Sequence, residues 1–237
     1  MQRYFANIDK NSNVCFSKED EHHILHVMRM KVADEIEVVN NKKVFLCRID
    51  KTNPLVVSII HEIANDVEIK EDITLLFALT KGDKVDLVLQ KATELGVKRV
   101  ALITSERTVV SYDNKDVGKK LLRFKKIMKE ASEQSHRVIV PELLGIYDLK
   151  NLPKVAYSDL NYVAYEKDAS KVDEMFDGLT KGKSISILIG PEGGFSLREI
   201  DQLTKQAFIR TSLGKRILRA ETAAIYALSV LGYLLEK

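Results

Sequence analysis

The chain has 237 residues and lacks the marks of several protein classes. Four prolines and eleven glycines are too few for a collagen-like or low-complexity chain. With 45% hydrophobic and 30% charged residues, the composition is globular and excludes disorder. The only cysteines, Cys15 and Cys47, close at most one bridge and belong to no metal motif. A disulfide scaffold is thereby excluded, and the chain reads as reduced and cytoplasmic. No apolar run reaches the roughly 20 residues that span a bilayer. The most apolar stretch, 223–235, is interrupted by Ser229 and Gly232 and reads as a buried helix of a soluble protein. The opening Met1-Gln2-Arg3-Tyr4-Phe5 lacks the apolar core of a signal peptide. A strong charge of either sign is missing too: 37 basic and 34 acidic residues leave only +3, which taken whole names no partner.

The length admits one α/β domain, or one with a small module beside it. The first seventy residues show short β-type runs at 35–40, 44–49 and 55–60, with turn-prone Asn40-Asn41 and Thr52-Asn53-Pro54 between them. This predicts a small sheet or barrel, interrupted by one short helix over 20–28. From Ile73 the rhythm becomes strand, helix, strand, helix. Strands are predicted at 73–79, 100–104, 161–165, 184–189 and 208–213, and helices from Asp83 to Leu95 and over 115–134, 197–206 and 221–235. Such alternation predicts an α/β fold with a mostly parallel sheet. The boundary falls in the charged stretch 65–72, giving modules 1–70 and 71–237.

Four segments carry candidate chemistry. Leu188-Ile189-Gly190-Pro191-Glu192-Gly193-Gly194-Phe195-Ser196 lies between a strand and a helix, and Ser196 with Glu199 makes a capping box. It is either a tight turn or a loop that lets a ligand approach the backbone. It matches neither a Walker loop nor G-x-G-x-x-G, so a nucleoside triphosphate or NAD is not indicated. The segment 212–223 again joins a strand to a helix, and it sets Lys215, Arg216 and Arg219 beside a helix N-terminus, where cations are unfavourable. That local conflict is typical of functional sites, the alternative being a solvated basic loop. Residues 98–137 carry eleven cations against five acids, which makes either a phosphate-binding face or a solvated helix. His22 and His26 lie one helical turn apart without further ligands, so a metal site is not expected. His22, His23 and Arg29 suit phosphates or bases better.

Taken together, the segments resemble the bacterial ribosomal RNA small subunit methyltransferase E family of the SPOUT methyltransferases. The matching stretches are Arg3-Tyr4-Phe5, His22-His23-Ile24 with Arg29, Lys81–Lys84, Gln90–Val97, Ser105-Glu106-Arg107, Glu130–Arg137, 189–195 and 213–223. They span almost the whole chain, and the pair 189–195 and 213–223 is specific. The resemblance implies a PUA-like β-barrel that binds RNA, followed by a SPOUT α/β domain with a trefoil knot. It implies a homodimer that needs S-adenosylmethionine and no metal, and that methylates N3 of a uridine in 16S rRNA of the small ribosomal subunit. Its cofactor residues would be Leu79, Glu166, Leu188, Ile189, Gly190, Glu192, Gly193, Gly194, Leu213, Gly214, Ile217, Leu218, Arg219, Ala220 and Ala223. Its RNA contacts would be Arg3, His22, His23, Arg29, Lys81, Arg107, Lys120, Arg123, Lys126 and Arg137. One departure is Ala220, where many relatives carry Thr.

Uracil N3 is a poor nucleophile while it holds its proton. Two routes are open: Arg219 or Arg3 stabilises negative charge on the uracil oxygens, or Glu221 accepts the proton. Charge stabilisation by arginine is the favoured route. A transfer RNA target and a non-catalytic RNA-binding protein are the alternatives.

Overall fold

The computed structural model describes residues 1–110, 112, 114–165 and 175–237. They form two compact units. One comprises Met1–Glu68 with Ser132–Ile139, the other Ile69–Ala131 with Val140–Lys237.

The first unit contains β1 (Arg3–Phe5), β2 (Asn7–Ile8), β3 (Val14–Cys15), β4 (Glu35–Asn40), β5 (Lys43–Thr52) and β6 (Leu55–Ile63). The main sheet has the order β1-β4-β5-β6, parallel at β1–β4 and antiparallel elsewhere, while β2 and β3 pair with each other. Ile36 and Val38 alternate inward along β4, as the two-residue period of a strand requires. With Tyr4, Ile24, Cys47, Ile49 and Val57 they make one apolar cluster. The helix expected over 20–28 is two pieces. Ser17 caps α1 (Lys18–His22) by accepting the Asp20 N–H, and a π-helical turn follows over His23–Val27. Its wide ladder places the Met28 N–H on the His23 carbonyl at 2.8 Å, and Arg29 then leaves the helix with φ +53°.

Two buried guanidinium groups hold this unit together. Arg3 pairs with Glu37 at 2.7 Å and donates to the carbonyls of His136 and Arg137. Arg137 pairs with Glu68 at 2.7 Å, and the same carboxylate accepts the backbone N–H groups of Val138 and Ile139. Both arginine side chains are less than 5% exposed.

The second unit has a six-stranded sheet built from β7 (Ile73–Ala78), β8 (Arg99–Thr104), β9 (Glu142–Asp148), β10 (Leu160–Ala164), β11 (Ile185–Ile189) and β12 (Phe208–Thr211). Its order is β12-β10-β11-β7-β8-β9, and every pairing is parallel. The helices are α2 (Lys84–Glu94), α3 (Asn114–Gln134), α4 (Leu197–Lys205) and α5 (Ala220–Glu236). All six residues of β7 and all five of β11 are buried, because helices cover both faces. Ile73, Leu75 and Phe77 of β7 join the cluster that contains α2 and α5, whereas Leu76 joins the cluster that contains α4. At the end of α2, Gly96 turns the chain at φ +88°, and a Cβ there would lie 2.7 Å from Ile69. No helix among the described residues is long and apolar enough to cross a membrane.

Glu68→Ala would leave the Arg137 guanidinium and two backbone N–H groups without their carboxylate. Removing one partner of a buried ion pair costs about 3–5 kcal/mol. A large drop in melting temperature is expected in thermal denaturation, and an unchanged one would show that the pair does not hold the unit.

Candidate functional site

In parallel α/β sheets, ligands bind beyond the carboxyl ends of the strands. A cavity of about 440 Å³ lies there, at the ends of the adjacent strands β12, β10 and β11. Ala164 and Tyr165 line it at the end of β10, and Ile189 to Phe195 from the end of β11 onward. Leu213, Gly214, Arg216 to Ala220, and Ala223 line it after β12 and from the first turn of α5.

The loop after β11 is fixed from outside. Ser196 and Glu199 form the predicted capping box, which starts α4. The buried Glu199 carboxylate also accepts the Glu106 N–H at 2.8 Å, and the Ser196 hydroxyl donates to the Glu106 carboxylate at 2.8 Å. Arg107 donates to the Gly193 carbonyl at 2.8 Å, and Lys84 donates to Glu192 at 2.9 Å. Burial works to raise the Glu192 carboxyl. The Lys84 hydrogen bond and charge, with backbone N–H groups, outweigh it and hold Glu192 below the usual carboxylate range. Within the loop the Gly194 N–H returns to the Pro191 carbonyl at 2.8 Å.

The loop after β12 turns at Gly214, whose φ of +101° is open to glycine and strained for other residues. Ser212 secures the turn by accepting from the Gly214 N–H at 3.2 Å. Arg219 is the N-cap of α5 and makes no side-chain cap, so the helix start relies on its backbone. Ala220 and Ala223 bring that start to the cavity wall. The free N–H groups and the dipole of a helix start favour negative charge. Among the described residues, Lys215, Arg216 and Arg219 have no acidic partner.

Twelve of the predicted cofactor residues line this one cavity: Ile189, Gly190, Glu192, Gly193, Gly194, Leu213, Gly214, Ile217, Leu218, Arg219, Ala220 and Ala223. Two do not. Leu188 points to the opposite face of the sheet from Ile189 and sits in the α4 cluster. Leu79 is buried in the α2 and α5 cluster, with its N–H on the Ile103 carbonyl. Glu166 lies outside the described residues. Sequence reasoning missed Ala164, Tyr165, Pro191, Phe195 and Arg216 as lining residues. Pro191, Phe195 and Arg216 stand inside the segments it had marked.

Of the proposed catalytic and RNA-binding residues, Arg3 and Arg137 need correction. Both guanidinium groups are buried in ion pairs of the first unit, so their charge is already used. Arg107 is exposed but spends one hydrogen bond on Gly193. Lys120 lies over the Tyr112 ring at 4.4 Å. Arg123 pairs with Asp86, and Lys126 pairs with Glu130 at 3.8 Å. Lys81 and Arg29 are exposed. The His22 and His26 ring centres are 4.9 Å apart with the planes tilted by 44°, and His23 Nδ1 is 2.9 Å from the Tyr4 hydroxyl. Burial, then Glu133 and Asp20, push that hydroxyl up to about 12, so it stays protonated. Glu221 does not line the cavity; its carboxylate lies 3.6 Å from Lys84.

Residues 67–232 match the family model of an RNA methyltransferase domain, and residues 16–59 match that of an RNA methyltransferase PUA domain. The chain is 36% identical to a ribosomal RNA small subunit methyltransferase E of Bacillus subtilis, over 98% of this chain and 96% of the relative. It is 30% identical to one of Aquifex aeolicus, over 96% and 97%. The solved structure of a ribosomal RNA small subunit methyltransferase E from Neisseria gonorrhoeae, bound to S-adenosyl methionine, matches with a TM-score of 0.84. Identity there is 29%, over 99% of this chain and 98% of that one.

A Cβ at Gly190 would stand 3.0 Å from the Phe195 ring, which is itself buried against the sheet. Gly190→Val is therefore expected to destabilise the protein by about 1–3 kcal/mol through overpacking. Chemical denaturation checks this, and an unchanged midpoint would mean that the ring moves away freely.

Proposed function

The chain belongs to the RNA methyltransferase family that contains ribosomal RNA small subunit methyltransferase E, and from that membership we propose that it methylates N3 of a uridine in 16S rRNA with S-adenosylmethionine. The observation that carries this reading is the single cavity made by the two loops after β11 and β12. Its residues fit the cofactor. Gly214 leaves its backbone open to close approach, with nothing within 4 Å of where a Cβ would stand. Ile189, Leu213, Ile217 and Leu218 offer apolar wall, and Glu192 offers a carboxylate for hydroxyl or ammonium groups. When bound, S-adenosylmethionine supplies an electrophilic methyl group.

The protein's own task is to bring N3 into line and make it nucleophilic. Arg219 lines the cavity, carries no ion pair among the described residues and is exposed to an incoming base. It stabilises negative charge on the uracil oxygens as the N3 proton departs. Arg3 drops out of that role because it is buried against Glu37. Glu221 is the proton acceptor in the second route, although it stands outside the cavity wall. The target base leaves its stack to reach Arg219.

The phosphate backbone would lie along the cations of α3 and its neighbourhood, the half-buried Lys120 and the exposed Arg123 and Lys126 among them, with Lys81, Arg107, His22, His23 and Arg29 as further contacts. The knotted path implied by the resemblance is part of this proposal. It is supported by the return of the chain from the edge strand β12 to the cavity that β11 also supplies. Dimerisation is supported by Ile217, Tyr226 and Tyr233, which stay exposed at and beside an apolar helix. The place of work would be the cytoplasm, where rRNA is made.

Deleting the gene is expected to remove one methyluridine from 16S rRNA by mass spectrometry, with restoration by the wild-type gene but not by Gly193→Arg. A lost methyluridine in transfer RNA instead would move the substrate. Gly193 has an ordinary φ, and a Cβ there meets only the flexible Arg107 side chain, at 3.3 Å. Gly193→Arg should therefore keep its melting temperature while calorimetry shows at least a tenfold loss of S-adenosylmethionine affinity.

Charge reversal of Arg123 and Lys126 together should weaken RNA binding and lower the slope of log affinity against log salt by about 2. Cofactor affinity should not change. An unaltered salt slope would mark these cations as solvated surface.

A further inference from the structure

Lys84 is the first residue of α2, a place where the helix dipole disfavours a cation. Its ammonium nevertheless lies 2.9 Å from Glu192 and 3.6 Å from Glu221. Glu192 belongs to the loop after β11. Glu221 is the second residue of α5, immediately beyond the loop after β12. One side chain from the start of α2 thus touches both segments that build the cavity. The Glu221 oxygen facing Lys84 is buried and has no hydrogen bond among the described residues, so the ammonium is its charge partner.

We propose that Lys84 is a positioning residue that latches the two cavity loops together through Glu192 and Glu221. The inference rests on reading the cavity as the S-adenosylmethionine site. Lys84 does not itself line the cavity. It acts by fixing Glu192, which does, and by holding the first turn of α5 against the glycine loop. The ordinary Lys pKa is raised here by the Glu192 hydrogen bond, with further help from the Glu192 and Glu221 charges. The Glu192 carboxyl is held low, so both partners stay charged around neutrality. The latch opens in acid, when Glu192 takes a proton, or in strong base, when Lys84 loses one.

The Lys84 and Glu192 side chains are 28% and 43% exposed, and an ion pair of that kind adds little to global stability. Lys84→Met should therefore leave the melting temperature nearly unchanged. In the ligand-free full-length protein, amide hydrogen exchange over 190–196 should quicken at least fivefold. Calorimetry should show at least a tenfold loss of S-adenosylmethionine affinity, and Lys84→Arg should recover it to within threefold. In Lys84→Met the acid-side fall in affinity should begin at higher pH than in the wild type, because Glu192 has lost the donor that holds it low.

Exchange and affinity within twofold of wild type would overturn the latch. Should Lys84→Met prove unstable, Lys84→Gln, Glu192→Gln and their double variant decide. The latch predicts that the double variant binds no more weakly than Glu192→Gln alone, and additive losses overturn it. Failure of the wild type to bind S-adenosylmethionine would sink the cofactor reading, while hydrogen exchange would still judge the latch.

Discussion

Burial of both faces of the parallel sheet is the constraint on which the rest of the second unit depends. The backbone polar groups of β7 and β11 are committed to neighbouring strands, and their side chains to two apolar clusters. A ligand has no access through either face. Chemistry is left to the loops at the carboxyl ends, where the backbone escapes the ladder. The strand order makes β12, β10 and β11 neighbours, so their carboxyl ends fall together. The cavity is thus a product of topology, and the residues along the loops decide what it holds.

Those loops face opposing demands. Glycines open the backbone to a ligand, but a glycine-rich loop loses much conformational freedom when ordered. The protein meets this with side chains from elsewhere in the same unit. Glu199 and Glu106 clamp the start of α4, and Arg107 holds the Gly193 carbonyl. These contacts lie outside the cavity and leave its wall to backbone, apolar groups and a few charges. Strength is placed behind the loop, and access is kept in front of it.

Much of this was legible from residue order. The 73–79 and 184–189 runs are continuously apolar because both faces are covered, and Ser196-x-x-Glu199 announced α4. The two cavity loops were found because each combines turn residues with a helix start. The strand β9, Glu142–Asp148, was not found. It is a half-buried edge strand with Gly145 inside it, and it lacks the continuous apolar run of its neighbours. The π-helical turn at His23–Val27 was read as ordinary helix because its residues have helical spacing either way. Leu188 and Ile189 part company because one step along a strand reverses the face. Arg3 and Arg137 were misread for a deeper reason. Their partners Glu37 and Glu68 stand 34 and 69 residues away, and no local pattern reveals a pair closed over that distance.

The same distance effect explains why a count of charge misled in both directions. The net +3 hid a surplus of cations over 98–137. The surplus in turn overstated the free charge, because Lys98, Arg99, Arg123 and Arg137 find acids outside that window, at Asp72, Asp86 and Glu68. Pairing removes buried cations from any role toward a polyanion and only weakens exposed ones, since an exposed pair exchanges readily with solvent and phosphate. Arg123, with its side chain 56% exposed, therefore stays open to an anionic partner, whereas Arg137 does not. Lys215, Arg216 and Arg219 stand apart: no acid among the described residues neutralises them, and they flank a helix start that already favours anions. Three uncompensated cations at that point raise the energy of the folded protein on its own. An incoming anion, such as a phosphate group, relieves that excess. The site is thus electrostatically complementary to an anionic ligand and not to itself.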